Sequence, residues 1–131
     1  MKTLVALVSV WAAMAIGLSQ ETSREEYERY DKMIQENPRN SEAHYRLGEL
    51  FFRQGNYQSA ANEFRSSLNG DKKPTWTEVW SHINLGKIFD ITKQRERAVN
   101  EYNQAIRTKD NTRGALEEAG KYLKEPYQRQ R

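Results

Sequence analysis

The stretch His44-Tyr45-Arg46-Leu47-Gly48-Glu49-Leu50-Phe51, followed by Ala60 and Phe64, recurs 38 positions later as His82-Ile83-Asn84-Leu85-Gly86-Lys87-Ile88-Phe89, followed by Ala98, Tyr102 and Ala105. A shorter third copy reads Leu116-x2-Ala119-Gly120-x2-Leu123, its glycine 34 positions after Gly86. Residues three and four apart share one helix face, so each copy places its glycine among apolar neighbours. A glycine there lets a second helix approach closely. The second helix offers Ala60 or Ala98 and, four positions on, an aromatic ring that fills the space between the pair. A two-helix unit of this size cannot cover its own apolar face, so successive units must stack.

The punctuation agrees with paired helices. Gly55-Asn56 divides the first pair, Asn69-Gly70 ends its second helix, and Asn37-Pro38-Arg39-Asn40 precedes its first. Ser23-x-x-Glu26 and Thr75-x-x-Glu78 have the form of capping boxes and are expected at helix starts. Tyr27, Tyr30, Met33 and Ile34 lie on one face of a helix expected over residues 24–37. The turn Thr92-Lys93-Gln94-Arg95 lacks the glycine of its counterpart, and the stretch 69–77 carries four extra residues, which predicts an enlarged loop.

These spacings resemble the tetratricopeptide repeat (TPR) pattern over about residues 23–125, although His44, His82 and Leu116 stand where the family usually starts its pattern with tryptophan. The resemblance implies an all-α, TPR-like helix-turn-helix solenoid, a right-handed superhelix with a concave inner surface. About six helices are expected after an N-terminal signal segment: a half repeat, two full repeats and a closing helix. The expected divisions are a signal peptide at 1–20, a leading half-repeat helix at 21–40, one repeat at 41–74 with the enlarged loop, a second at 75–112, a closing helix at 113–125, and a flexible basic tail at 126–131.

The first eighteen residues differ from the rest. Lys2 precedes an apolar run from Leu4 to Leu18, and Gln20-Glu21 opens a highly charged stretch, the pattern of a secretory signal peptide. Fifteen helical residues span roughly 22 Å, short of the ~30 Å hydrocarbon core, so no stable membrane span is expected after processing. Cleavage is expected near residues 17–20, with Ala15-Ile16-Gly17 offering small residues, and an uncleaved anchor is the alternative. An exported protein, periplasmic or extracellular, is the expectation. The absence of cysteine excludes disulfides, thiolate metal sites and a cysteine nucleophile. With 21 basic and 18 acidic residues interleaved, no strong field for nucleic acid arises and no nucleic-acid partner is expected.

The family resemblance places Glu42, Tyr45, Glu49, Phe52, Arg53, Trp80, Ile83, Lys87, Asp90, Ile91, Gly114, Glu117, Lys121, Lys124 and Glu125 toward the groove. Tyr45, Phe52, Trp80 and Ile83 are expected to form an apolar strip for an extended peptide or a partner helix, with Arg53, Lys87, Lys121 and Lys124 holding acidic groups at its edge. Of the positions with which chaperone-binding members grip a carboxylate, only Asn84 has suitable chemistry, so that clamp is not expected. The expected partner-binding set is therefore Tyr45, Glu49, Phe52, Arg53, Trp80, Ile83, Asn84, Lys87 and Lys121.

Trp76 and Trp80 share one side of a helix start and read either as a binding pair or, for Trp76, as a staple for the long loop. His44 and His82 have no second ligand at metal spacing and read as packed core residues, so no metal and no cofactor is expected. No nucleophile, base and orienting group stand at a recognisable spacing, hence no enzyme. The function expected is an adaptor or scaffold for a protein or peptide. The alternative is a self-associating homo-oligomer through Leu116, Ala119 and Leu123, or an accessory subunit of an exported enzyme or envelope complex.

Overall fold

A computed structural model of the chain describes residues 2–130, with side chains from Gln20 onward. The side chains of the expected signal segment lie almost wholly outside the described ones. Among the described residues there are six α-helices and no strand: α1 Lys2–Glu36, α2 Ser41–Arg53, α3 Tyr57–Leu68, α4 Trp76–Ile91, α5 Arg95–Arg107 and, after a 3-10 turn at Thr112–Gly114, α6 Ala115–Lys124. No helix of the structure is long and apolar enough to cross a membrane, among the described residues. Helices α2 and α3 form one hairpin and α4 and α5 a second; α1 leans on α2, α3 on α4, and α5 on α6.

Aromatic rings lie against two of the three patterned glycines. A β-carbon built on Gly48 would stand 2.8 Å from the Phe64 ring, and one on Gly86 would press still harder on the Tyr102 ring. Phe64 and Tyr102 are fully buried, as are Ala60 and Ala98 one turn before them. Each hairpin is thus closed by a ring packed against bare backbone. Gly120 occupies the same place in the pattern but has nothing within 4 Å among the described residues.

Both hairpin turns close in the same way. In the first, Gly55 has φ +76°, its N–H reaches Phe52 O at 3.0 Å, and Asn56 N–H reaches Phe51 O at 2.9 Å. This is a Schellman ending, which needs a left-handed residue after the cap. In the second, Lys93 takes φ +61°, with bonds from Lys93 N to Asp90 O at 3.2 Å and Gln94 N to Phe89 O at 2.7 Å. The turn without glycine therefore keeps the glycine geometry, and lysine bears the strain.

The enlarged loop is bound to the start of α2. Ser41 Oγ donates to Ser67 O at 2.6 Å and accepts from Lys72 N at 2.8 Å; Ser67 Oγ returns a bond to Ser41 O at 2.9 Å. Asp71 accepts from the backbone N–H groups of Lys73 and Ser41, bonds that hold its carboxyl below the ordinary range. Trp76 sits edge-on to the Tyr45 ring at 5.1 Å, with the Arg46 and Arg113 guanidinium groups 5.1 and 5.2 Å from its own ring. It packs on α2 rather than standing free.

The expected capping boxes are absent. Thr75 makes no side-chain cap bond; Thr77 Oγ1 donates instead to Pro74 O, and Glu78 pairs with Lys72 at 3.0 Å. Ser23 and Glu26 lie within α1, so they start no helix. The caps that form are Asn40 to Ala43 N and Asn56 to Ser59 N.

Gly86→Ala is expected to cost about 1–3 kcal/mol, since the enclosed Tyr102 ring has nowhere to retreat. Gly120→Ala, with open space and a helical backbone, is expected to gain up to about 1 kcal/mol. Urea melts of the two variants read the difference, and equal effects would refute the close-packing account. Lys93→Gly removes roughly 1–2 kcal/mol of left-handed strain and adds roughly 0.5–1 kcal/mol of chain entropy, a net gain of about 0.5–1 kcal/mol. A lowered thermal midpoint would contradict it.

Candidate functional site

The first helices of the hairpins, α2 and α4, together with α6, share one face, and side chains bridge them along it. Tyr45 is buried on α2 between the Phe64 and Trp76 rings, and its hydroxyl accepts from Asn84 Nδ2 on α4 at 3.2 Å. Burial, foremost, drives the Tyr45 hydroxyl pKa well above the ordinary phenol value. Lys87 on α4 pairs with Glu118 on α6 at 3.3 Å. Arg53 at the end of α2 pairs with Glu26 on α1 at 2.5 Å, and Trp80 Nε1 donates to Thr112 O at 3.0 Å.

Of the nine residues expected to meet a partner, Glu49, Phe52, Arg53 and Asn84 converge, with the Phe64 ring beneath, around a cleft of about 170 Å³. Tyr45 and Ile83 are 3% and 0% exposed, so they floor this face and present no surface of their own. The four-residue apolar strip is therefore discontinuous: Phe52 and Trp80 are half-buried and separated by the polar Asn84–Tyr45 bridge. Lys87 is held between Glu118 and the rings of Tyr122 and Tyr127, while Lys121 is exposed beside Tyr122.

The two repeats differ at three positions that touch one another. In the first, Phe52, Tyr57 and Phe64 are aromatic, with Phe52 and Tyr57 edge-on at 5.6 Å. In the second, the same positions hold Asp90, Arg95 and Tyr102. Arg95 Nη1 donates to both Asp90 oxygens at 3.0 and 3.1 Å, and Tyr102 Oη donates to Asp90 Oδ2 at 2.8 Å. The Asp90 side chain is 1% exposed. Burial, then this bond to a carboxylate, raises the Tyr102 hydroxyl pKa far above the phenol range.

The trio also holds the chain beyond α6. Arg95 Nη2 donates to Tyr122 O and Leu123 O at 2.7 and 2.9 Å, two of the carbonyls a helix end leaves unpaired. Tyr127 N–H donates to Asp90 Oδ2 at 2.8 Å. The segment after residue 125, expected to be a free basic tail, instead crosses the face: the Tyr127 ring lies 5.2 Å from Tyr122, 6.3 Å from Phe52 and 5.2 Å from Lys87 Nζ. Burial raises the Tyr127 hydroxyl pKa. The sequence carried a signal for this seat, the joint departure of three residues from the repeat, but nothing in the segment itself.

The three residues expected to drive self-association are not equally exposed. Ala119 is fully buried, and Leu116 and Leu123 are half-buried. Helix α5 packs on α6, while Gly120 on the same helix has nothing within 4 Å among the described residues.

The two histidines pair with carboxylates from the opposite helix of their own hairpin, 19 positions on in both repeats. His44 Nδ1 meets Glu63 at 2.7 Å and His82 Nδ1 meets Glu101 at 2.7 Å. No group of three histidine or acidic side chains stands together as a metal site, among the described residues. His44 Nε2 also faces Pro38 O at 2.9 Å. Two acceptors face one ring, and only the doubly protonated form donates to both.

Models of the tetratricopeptide repeat match residues 27–82 and 81–112. The chain belongs to the tetratricopeptide repeat family. No curated protein matches it significantly. Repeats of this family mediate protein–protein interaction and scaffolding and are typically non-catalytic.

The hydrogen bond to Glu63 lifts the His44 pKa above its ordinary value against the opposing effect of burial. A group with a raised folded pKa stabilises fully below its unfolded value of about 6.5 and loses that contribution as pH rises through the folded value. Between about pH 6 and about pH 8, the protein is therefore expected to lose more stability than its Glu63→Gln variant. Denaturant titrations at both pH values give the comparison, and parallel losses would refute the charged pair.

Proposed function

We propose that the chain is an exported, non-catalytic adaptor that holds an extended peptide segment of a protein partner on the face formed by α2, α4 and α6. One observation carries this reading: Glu49, Phe52, Arg53 and Asn84, drawn from two repeats, surround a cleft that no side chain fills. An acceptor carboxylate, a ring edge, a guanidinium and an amide are the means by which a groove holds the backbone and one or two side chains of a peptide. Most of the area comes from a floor already packed, so binding costs little reordering. Export rests on the N-terminal pattern of Lys2 and the apolar run to Leu18. Self-association through α6 has less support, since Ala119, one of the three residues it would use, is fully buried.

The test compares three baits expressed with the whole chain: wild type, Arg53→Glu with Asn84→Ala, and Glu96→Lys on the exposed outer surface of α5. The cleft variant is expected to lose on the order of tenfold or more of a partner that the outer-face variant retains, the usual consequence of losing central contacts. Circular dichroism controls for folding, and the intact mass of the recovered baits reads whether residues up to about 17–20 have been removed. Equal retention by all three baits would end the groove reading.

A further inference from the structure

We propose that the segment 126–130 is a resident ligand of this face, and that the partner is a peptide segment of matching chemistry: extended, with an aromatic residue followed two positions on by a cation. The inference deepens the scaffold reading and rests on it.

The seat is built. Asp90, buried beneath the segment, receives the Tyr127 backbone N–H while Arg95 and Tyr102 fix its oxygens. A backbone contact of this kind is blind to side chains, so it accepts any extended segment that is not proline at that point. Selectivity comes from the ring. Tyr127 stands edge-on to Tyr122 (interplanar angle 89°) and tilted on Phe52, with Lys87 Nζ over its face, an arrangement suited to the quadrupole of an aromatic ring and not to an aliphatic side chain. Two positions on, the Arg129 guanidinium lies 5.4 Å from the Tyr57 ring. The Tyr57 hydroxyl beside it is buried and lacks a partner among the described residues. Glu125 enters the seat with extended φ −132° and ψ 128°.

The seat and the open cleft are continuous. Phe52 and Arg53 line both the cleft and the depression beside Tyr127, Arg129 and Gln130. A ligand that takes the place of Tyr127 can therefore run on past Arg53 to Glu49 and Asn84, which the tethered segment leaves uncovered. Tethering makes this extra reach necessary. A segment joined by a short link is present at an effective concentration on the order of millimolar, so a ligand that merely copies it does not displace it. Only a partner that adds cleft contacts does, and the segment screens out the weaker ones.

A fluorescently labelled synthetic peptide of residues 125–131 is titrated into the whole chain and into its Tyr127→Ala variant. The variant is expected to bind it on the order of tenfold or more tightly than wild type, and Phe52→Ala added to the variant is expected to abolish that gain. Amide hydrogen exchange of the wild type supplies an independent reading, with the Tyr127 amide expected to exchange on the order of tenfold slower than that of Gln130. An unprotected Tyr127 amide, equal binding by wild type and variant, or no binding by either up to millimolar peptide each overturns the proposal. If it falls while the cleft baits still lose their partner, the scaffold reading stands alone; if the cleft baits keep their partner, both fall.

Discussion

The contact on which the rest depends is an aromatic ring laid on a glycine. Phe64 against Gly48 and Tyr102 against Gly86 set how closely the helices of each hairpin approach, and a single methyl at either glycine would collide with a buried ring. With that distance fixed, Ala60 and Ala98 have room only for themselves. The apolar sides left over must cover one another by stacking. The His–Glu pair at an offset of 19 then ties the same two helices at a second point in both repeats. Each hairpin is located by one dispersion contact and one polar contact, and the polar one also fixes which way the pair is in register.

A repeat need not repeat its chemistry to repeat its shape. Phe52, Tyr57 and Phe64 fill a volume with ring edges; Asp90, Arg95 and Tyr102 fill the corresponding volume with a carboxylate, a guanidinium and a phenol. Burying Asp90 without Arg95 would cost on the order of 3–5 kcal/mol, so the three changes have to stand together. The second repeat gives up a drier core and acquires donors and an acceptor that still have capacity. Arg95 directs it to the last carbonyls of α6, and Asp90 to the Tyr127 N–H. The first repeat has no means of doing either.

How much of this was legible in the sequence depends on the range of each interaction. Helices, hairpin boundaries and the glycine–aromatic match were readable, because they rest on spacings of three, four and a repeat length. The capping boxes misled. Thr75 and Glu78 have the right letters, but Lys72 competes for the acid and the loop holds Thr75 in helical backbone, with φ −57° and ψ −30°. The groove positions taken from the family located Glu49, Phe52, Arg53 and Asn84 together, yet gave no sign that Tyr45 and Ile83 would be sealed. Trp76 at the start of α4 was readable as a staple, but not that its ring would lie on Tyr45, because the path of the loop before it follows no short-range rule. The His–Glu pairs were visible in principle, since Glu63 and Glu101 recur at the same offset from His44 and His82, but the signal appears only when the two repeats are read in register.

The segment after α6 shows why composition is a poor guide at the edge of a fold. Glu125-Pro126-Tyr127-Gln128-Arg129-Gln130 is polar, charged and without periodicity, the marks of solvated chain. Its fate is decided elsewhere, by an aspartate 37 positions earlier and a phenylalanine 75 positions earlier that border an unfilled face. Gly120 leaves one side of α6 open among the described residues, and the segment after α6 turns the other way, across the face that the first helices share. The buried Asp90–Arg95 pair makes that turn favourable, because it satisfies the ends of α6 and the returning backbone with the same two side chains. The anchoring of α6 and the occupancy of the groove are consequently one structural event, and a change at Asp90 or Arg95 acts on both.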